Sequence, residues 1–212
     1  MRLSQLFENE RMREIVVMPG GFHPFHAGHY ALYQSIVERF PNAEVYVAAT
    51  DAKTERPFPF DAKQKLATIA GVPANRFIQV KSPFSAESYL PLTANPENTA
   101  LIFVRSEKDM DQHPMPGDPT KLVSRGPRKG LPPYILEYDG NPKPMTDHAY
   151  MTYMPTVDFR VGNTPMRSAT EIRTAWANAN DEQRQMIAAS LYPNATASQQ
   201  KRAYEIIDRI LG

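Results

Sequence analysis

EIVVMPGGFHPFHAGHYALYQSIVERF, residues 14–40, decides how the chain is read. Its first part is short, apolar and β-branched and ends in Gly20 and Gly21, which suits a buried parallel strand. Behind His26 the apolar side chains Tyr30, Tyr33, Ile36, Val37 and Phe40 recur at helical spacing. A buried strand therefore runs through a glycine-bearing loop into an amphipathic helix.

The same alternation continues outward. AEVYVAAT (43–50) reads as a second strand. PFDAKQKLATIAG (59–71) reads as a helix, with Asp61 as its candidate N-cap and Gly71 closing it. RFIQV (76–80), TALIFVRS (99–106) and AYMTYMPTV (149–157) supply three more strands. SATEIRTAWANA (168–179), DEQRQMIAASLY (181–192) and ASQQKRAYEIIDRIL (197–211) supply terminal helices. Strands alternating with helices, joined by right-handed crossovers, predict an α/β, Rossmann-like doubly wound parallel sheet of about five strands. Ligands of such sheets bind at the carboxyl ends of the strands, near the point where strand order reverses. The loop after the first strand, 20–29, occupies that position.

Twenty prolines crowd mainly between Ser82 and Pro165, most densely in QHPMPGDPTKLVSRGPRKGLPPYILEYDGNPKPM (112–145). Proline lacks the N–H donor and clashes inside a helix, so residues 111–149 are expected to form an insertion or lid before the last strand. The domain is expected to span 1–178, with 179–212 a helical extension packed on the same domain. A net charge of +1 gives no global electrostatic case for nucleic acid or an acidic membrane. The absence of cysteine excludes disulfides, thiolate metal sites and a thiol nucleophile. No window approaches the roughly 18 apolar residues of a membrane span, and the opening MRLSQLFENERMR lacks a signal-peptide core. A soluble, cytoplasmic protein is expected.

GGFHPFHAGH (20–29) holds His23, His26 and His29. As a metal site it is poorly furnished: Pro24 extends His23, and no carboxylate stands nearby to complete a ligand set. As a phosphate site it is better furnished. A helix beginning near His26 offers unsatisfied N–H groups and partial positive charge at its first turn. Gly20 and Gly21 permit close backbone approach, Gly28 keeps the turn clear, and His26 and His29 project from one side. The plain alternative is that the glycines only shape a turn and the histidines are ordinary helix-start residues.

The stretch resembles the signature of the nucleotidylyltransferase superfamily, a strand followed by G-x-F-x-P-x-H-x-G-H. It is similar in form to the branch containing nicotinamide-nucleotide adenylyltransferases, with Gly21 and His23 in place of that branch's arginine and glutamine. A second match lies at RSATEIR (167–173), similar to the family's closing I-S-S-T-x-I-R, where Ser168 and Glu171 have capping-box spacing. The resemblance implies transfer of a nucleoside monophosphate, AMP from ATP, to a small phosphorylated acceptor such as nicotinamide mononucleotide, with release of pyrophosphate. It implies that His26, His29 and Arg173 stabilise charge on the phosphates. Gly20, Gly21, Phe22, Gly28, Ser168, Ala169 and Thr170 would hold the nucleotide, and Mg²⁺ would bridge its phosphates rather than sit in a protein cage.

The resemblance also implies candidates for the acceptor phosphate in Lys53 and Arg56, after the second strand, and for the base or ribose in Arg105, Ser106 and Asp109, after the fourth. Trp176 reads as core. Cytidylyltransferase or pantetheine-phosphate adenylyltransferase activity would use the same grip, and a nucleotide-binding module without turnover is a further reading. The basic run KLVSRGPRKG lacks interleaved aromatics, so nucleic acid is not expected as a partner; a homo-oligomer is compatible with the sequence.

Overall fold

The computed structural model describes residues 12–51, 57–110, 134–166 and 168–212. Strands β1 (Arg13–Gly20), β2 (Glu44–Ala49), β3 (Phe77–Gln79), β4 (Thr99–Ser106), β5 (Ile135–Glu137) and β6 (Ala149–Met154) form one sheet in the order β3-β2-β1-β4-β6-β5. Every pairing in it is parallel. Successive side chains on β1 point to opposite faces. Val16 and Met18 enter the core that also takes Leu32, Tyr33 and Ile36 of α1 (Ala27–Arg39) and Leu66 of α2 (Phe60–Ala70), whereas Ile15 and Val17 enter a second core.

The sheet is thus the expected α/β arrangement, with one strand more than the sequence suggests. The extra strand, β5, lies inside the segment read as an insertion. Of that segment, 111–133 fall outside the described residues, while 134–149 build β5 and the turn into β6. Beyond β6 a two-stranded antiparallel hairpin, β7 (Phe159–Val161) and β8 (Thr164–Met166), turns at Gly162 and Asn163. Gly162 has a φ of +56° there, which glycine adopts without strain.

The faces of the sheet are covered unequally. α3 (Ala169–Ala177), α4 (Asp181–Leu191) and α5 (Ala197–Leu211) bury Ile172, Trp176, Leu191 and Ile207 in the same core as α1 and α2. The other face is covered by the β3–β4 crossover, whose short 3₁₀ turns place Ala86 and the fully buried Tyr89 against Phe103. Trp176, 0% exposed, is core as expected.

Two helix starts differ from expectation. Pro59, not Asp61, is the N-cap of α2. The N–H of Phe60 donates instead to Asp51 Oδ1 at 2.9 Å, and Asp61 pairs with Lys65 one turn on. On α3, Ser168 accepts from the N–H of Glu171 at 3.2 Å, but the reciprocal half of a capping box is not formed.

Ile36 is fully enclosed where α1 meets the sheet. Ile36→Ala is expected to cost about 2–5 kcal/mol through lost burial and the cavity left behind, read as a lower urea midpoint at unchanged slope.

Candidate active site

The first turn of α1 is capped by its own two histidines. His26 is the N-cap, in extended conformation, and its Nδ1 accepts from the N–H of Gly28 at 3.2 Å. His29, three residues on, accepts from the N–H of His26 through its own Nδ1 at 3.3 Å. This is a capping box in which imidazoles replace the usual hydroxyl and carboxamide. A nitrogen that accepts a hydrogen bond carries no proton, so each neutral ring is assigned as the tautomer with its proton on Nε2. The two rings lie 3.7 Å apart. The Nε2 of His26 is buried and has no hydrogen-bond partner among the described residues.

Charging these rings is disfavoured. Burial, then the neighbouring His29 and Lys108, hold His26 well below the ordinary imidazole value. Burial, then Lys108 and His23, push His29 down to about 3. The pair stands as two neutral donors beside a helix N-terminus.

The loop before them is bound from three directions. Arg173 Nη1 donates to the carbonyl of His23 at 2.7 Å, and Tyr192 Oη donates to the carbonyl of Phe25 at 2.5 Å. The N–H of Phe58 donates to His23 Nδ1 at 3.3 Å. Between these ties Phe22 takes a φ of +53°, uncommon for a side chain other than glycine. Its ring packs edge-on against His29 at 4.9 Å and lies 2.4 Å from where a Cβ on Gly20 would stand. A Cβ on Gly28 would meet Phe159 at 2.8 Å. The room these two glycines leave is filled at least in part by the chain's own aromatic rings, a role the sequence reading did not give them.

The loop opens onto a cavity of about 400 Å³ between the carboxyl ends of β1 and β4, where strand order reverses. Gly20, Gly21, Phe22, His26, Gly28 and His29 line it from β1 and α1. Arg105, Ser106 and Asp109 line it from beyond β4, and Ser168 and Ala169 from the start of α3. Arg105 pairs with Asp109 at 3.2 Å and is 11% exposed in its side chain, with Nη1 buried and unbonded among the described residues. Ser106 and Thr156 share a hydroxyl hydrogen bond of 2.9 Å, which joins the ends of β4 and β6.

Some candidates lie elsewhere. Arg173 and Thr170 are not part of the wall: Arg173 Nη2 donates to Thr170 Oγ1 at 3.1 Å while Nη1 holds the loop. Lys53 and Arg56 fall outside the described residues. The sequence reading missed Lys108, whose charge acts on both histidines, and Thr156 and Val157, which line the cavity behind β6. It also missed Phe159, which stacks on His26 at 4.3 Å. The dipeptide Gly162-Asn163, a hairpin signal, was the available clue to that last group.

Among the described residues no three His, Cys, Asp or Glu side chains gather as a metal site. Asp109 is the carboxylate on the wall, and it is ion-paired. This donor set fits a divalent cation carried in by phosphates and mostly hydrated, rather than one caged by protein.

No protein-family model matches the chain, and no curated protein matches it in sequence. In structure it is similar to nicotinic acid mononucleotide adenylyltransferase of Plasmodium falciparum in complex with NaAD. The TM-score is 0.51 and the identity 13%, over 93% of this chain and 95% of that one. The chain shares the fold of that adenylyltransferase structure. Two structures of a bifunctional NMN adenylyltransferase/ADP ribose pyrophosphatase from Francisella tularensis, one complexed with AMP and a manganese ion, are also similar. Their TM-scores are 0.47 and 0.48 at 14% and 15% identity, over 94% of this chain and 52% and 53% of theirs. The chain spans about half the length of those bifunctional proteins. No helix among the described residues is long and apolar enough to cross a membrane.

A folded histidine that resists protonation binds fewer protons than its unfolded counterpart below pH 6.5. Stability therefore rises with pH from about 3 to 6.5 and is lost as pH falls through that window. The slope is on the order of 1 kcal/mol per pH unit for the enclosed His26, and less for His29, which is partly open to water. Melting scans from pH 7.5 down to pH 4.5 should show a falling midpoint, and His26→Gln combined with His29→Gln should flatten the dependence.

Proposed function

We propose that this chain is a nucleotidylyltransferase that transfers AMP from ATP to a small phosphorylated acceptor such as nicotinamide mononucleotide and releases pyrophosphate. One observation carries the reading. A cavity at the strand-order reversal is walled by two helix beginnings, and one of them carries His26, whose buried Nε2–H has no acceptor among the described residues. An unpaired buried donor costs about 1–3 kcal/mol, which a phosphate oxygen would recover.

An acceptor phosphate oxygen attacks the α-phosphorus in line as the bond to the bridging oxygen of pyrophosphate breaks. His26 and His29 donate through Nε2–H to oxygens on which negative charge grows, and the capping bonds hold them aligned beforehand, so little reorganisation is needed. Charge on the phosphates favours the protonated rings and draws the depressed pKa values upward. The N–H groups at Gly20 to Phe22 and at Ala169 add donors at the loop and at α3. Ser168 Oγ accepts from Glu171, which leaves its hydroxyl hydrogen for the β- or γ-phosphate. Thr170 and Arg173 stand behind this first ring of contacts, Arg173 adding fixed positive charge.

Mg²⁺ bound with the triphosphate supplies charge neutralisation. Arg105, Ser106 and Asp109, on the cavity wall, are assigned to the base or ribose, and Lys53 and Arg56, outside the described residues, are kept as candidates for the acceptor phosphate. Nucleic acid and membrane are not partners in this reading.

Incubation with ATP or CTP and a panel of phosphorylated acceptors, with pyrophosphate as readout, tests the proposal. ATP with a mononucleotide acceptor should release it. Binding of ATP with no release from any acceptor would leave a nucleotide-binding module instead. His29→Ala should keep the fold and lower turnover at least ~100-fold, the scale of one preorganised donor.

A further inference from the structure

Phe159 comes to the site from a distant part of the chain and belongs to neither sequence motif. It is 8% exposed, at the first position of β7, and its ring lies 4.3 Å from that of His26 at an interplanar angle of 27°. His29 also lies over the His26 ring, with centroids 3.7 Å apart and the planes tilted by 31°. Two rings that close and that nearly parallel to a third cannot share one of its faces. His26 is therefore held between an imidazole on one side and a phenyl ring on the other.

The hydrogen bond from Gly28 to Nδ1 fixes only one edge of the imidazole. A single edge contact leaves the plane free to tilt about it, and a tilted ring aims its Nε2–H elsewhere. Contact on both faces removes that freedom. The hairpin carrying Phe159 is itself anchored: the N–H of Gly162 donates to Ser190 Oγ on α4 at 3.2 Å, and Met166 is buried in the main core. Gly28 permits the approach, since a Cβ there would stand 2.8 Å from Phe159 Cδ1.

We propose that Phe159 is a positioning residue, which by stacking on the outer face of His26 fixes the plane of that imidazole and the direction of its Nε2–H. The effect on turnover rests on the nucleotidyl-transfer reading; the effect on the ring does not.

The experiment separates the two. Nitrogen-15 spectra of the histidine rings, recorded on the unliganded full chain, report the tautomer of His26, with His29 as internal reference because it keeps its contacts with Phe22 and Phe25. The wild-type protein should show an acceptor-type Nδ1 and a protonated Nε2 at His26. Phe159→Leu, which keeps apolar bulk but removes the flat face, should move the His26 nitrogens toward tautomer-averaged values and leave those of His29 nearly in place. Phe159→Tyr, which restores the ring, should restore the wild-type signature. Where the parent protein releases pyrophosphate, Phe159→Leu should lower kcat by about 10-fold with little change in KM, the scale of one aromatic stacking contact, and Phe159→Tyr should recover it. Should Phe159→Leu fail to fold, Phe159→Met fills the same volume more adaptably and carries the same expectation. A wild-type His26 signature in whichever ringless variant folds overturns the proposal. A wild-type protein that releases no pyrophosphate while its His26 nitrogens respond to Phe159→Leu overturns the nucleotidyl-transfer reading and leaves the positioning role standing.

Discussion

Two hydrogen bonds from main-chain N–H groups to imidazole Nδ1 atoms determine most of what the loop at 20–29 can do. They begin helix α1, they assign the ring protons to Nε2, and they bring His26 and His29 close enough to stack. The same two rings thus serve a structural task through Nδ1 and leave Nε2 for a chemical one. Had serine and glutamate capped this helix, its start could still be satisfied, but the residues lining the cavity would bring no imidazole.

The capping pair holds its place because the loop in front of it is tied to remote parts of the fold. Arg173 on α3, Tyr192 at the end of α4 and Phe58 ahead of α2 each bond to a loop residue. Those ties balance the unfavourable backbone of Phe22. They also account for what Arg173 does in the folded chain: a planar cation with several donors can brace a carbonyl and a threonine hydroxyl together.

Much of the sheet is legible in the sequence because its strands are long enough to carry a pattern. β1, β2 and β4 are apolar runs bounded by turn residues, and α1, α2 and the last three helices have clear spacing. β5 is not legible: three residues after a pair of prolines carry no periodicity. The hairpin of β7 and β8 is equally short. The cap of α2 is concealed differently, because Asp51 reaches the N–H of Phe60 across a loop. In the site, residues next to one another in the motifs are readable, while Phe159, Lys108 and Thr156 are not. They reach the cavity through tertiary contacts made from about 50 to more than 130 positions away along the chain, which local propensity does not encode. The thiol-free composition and the buried Trp176 needed no coordinates at all.

Trp176 has one more consequence. It is the single tryptophan of the chain, wholly enclosed on the helix whose first turn borders the cavity. Indole emission therefore comes from one place and one environment, with no second fluorophore of its kind to blur it. Any event at the mouth that shifts α3 against α5 is written into the colour of that light.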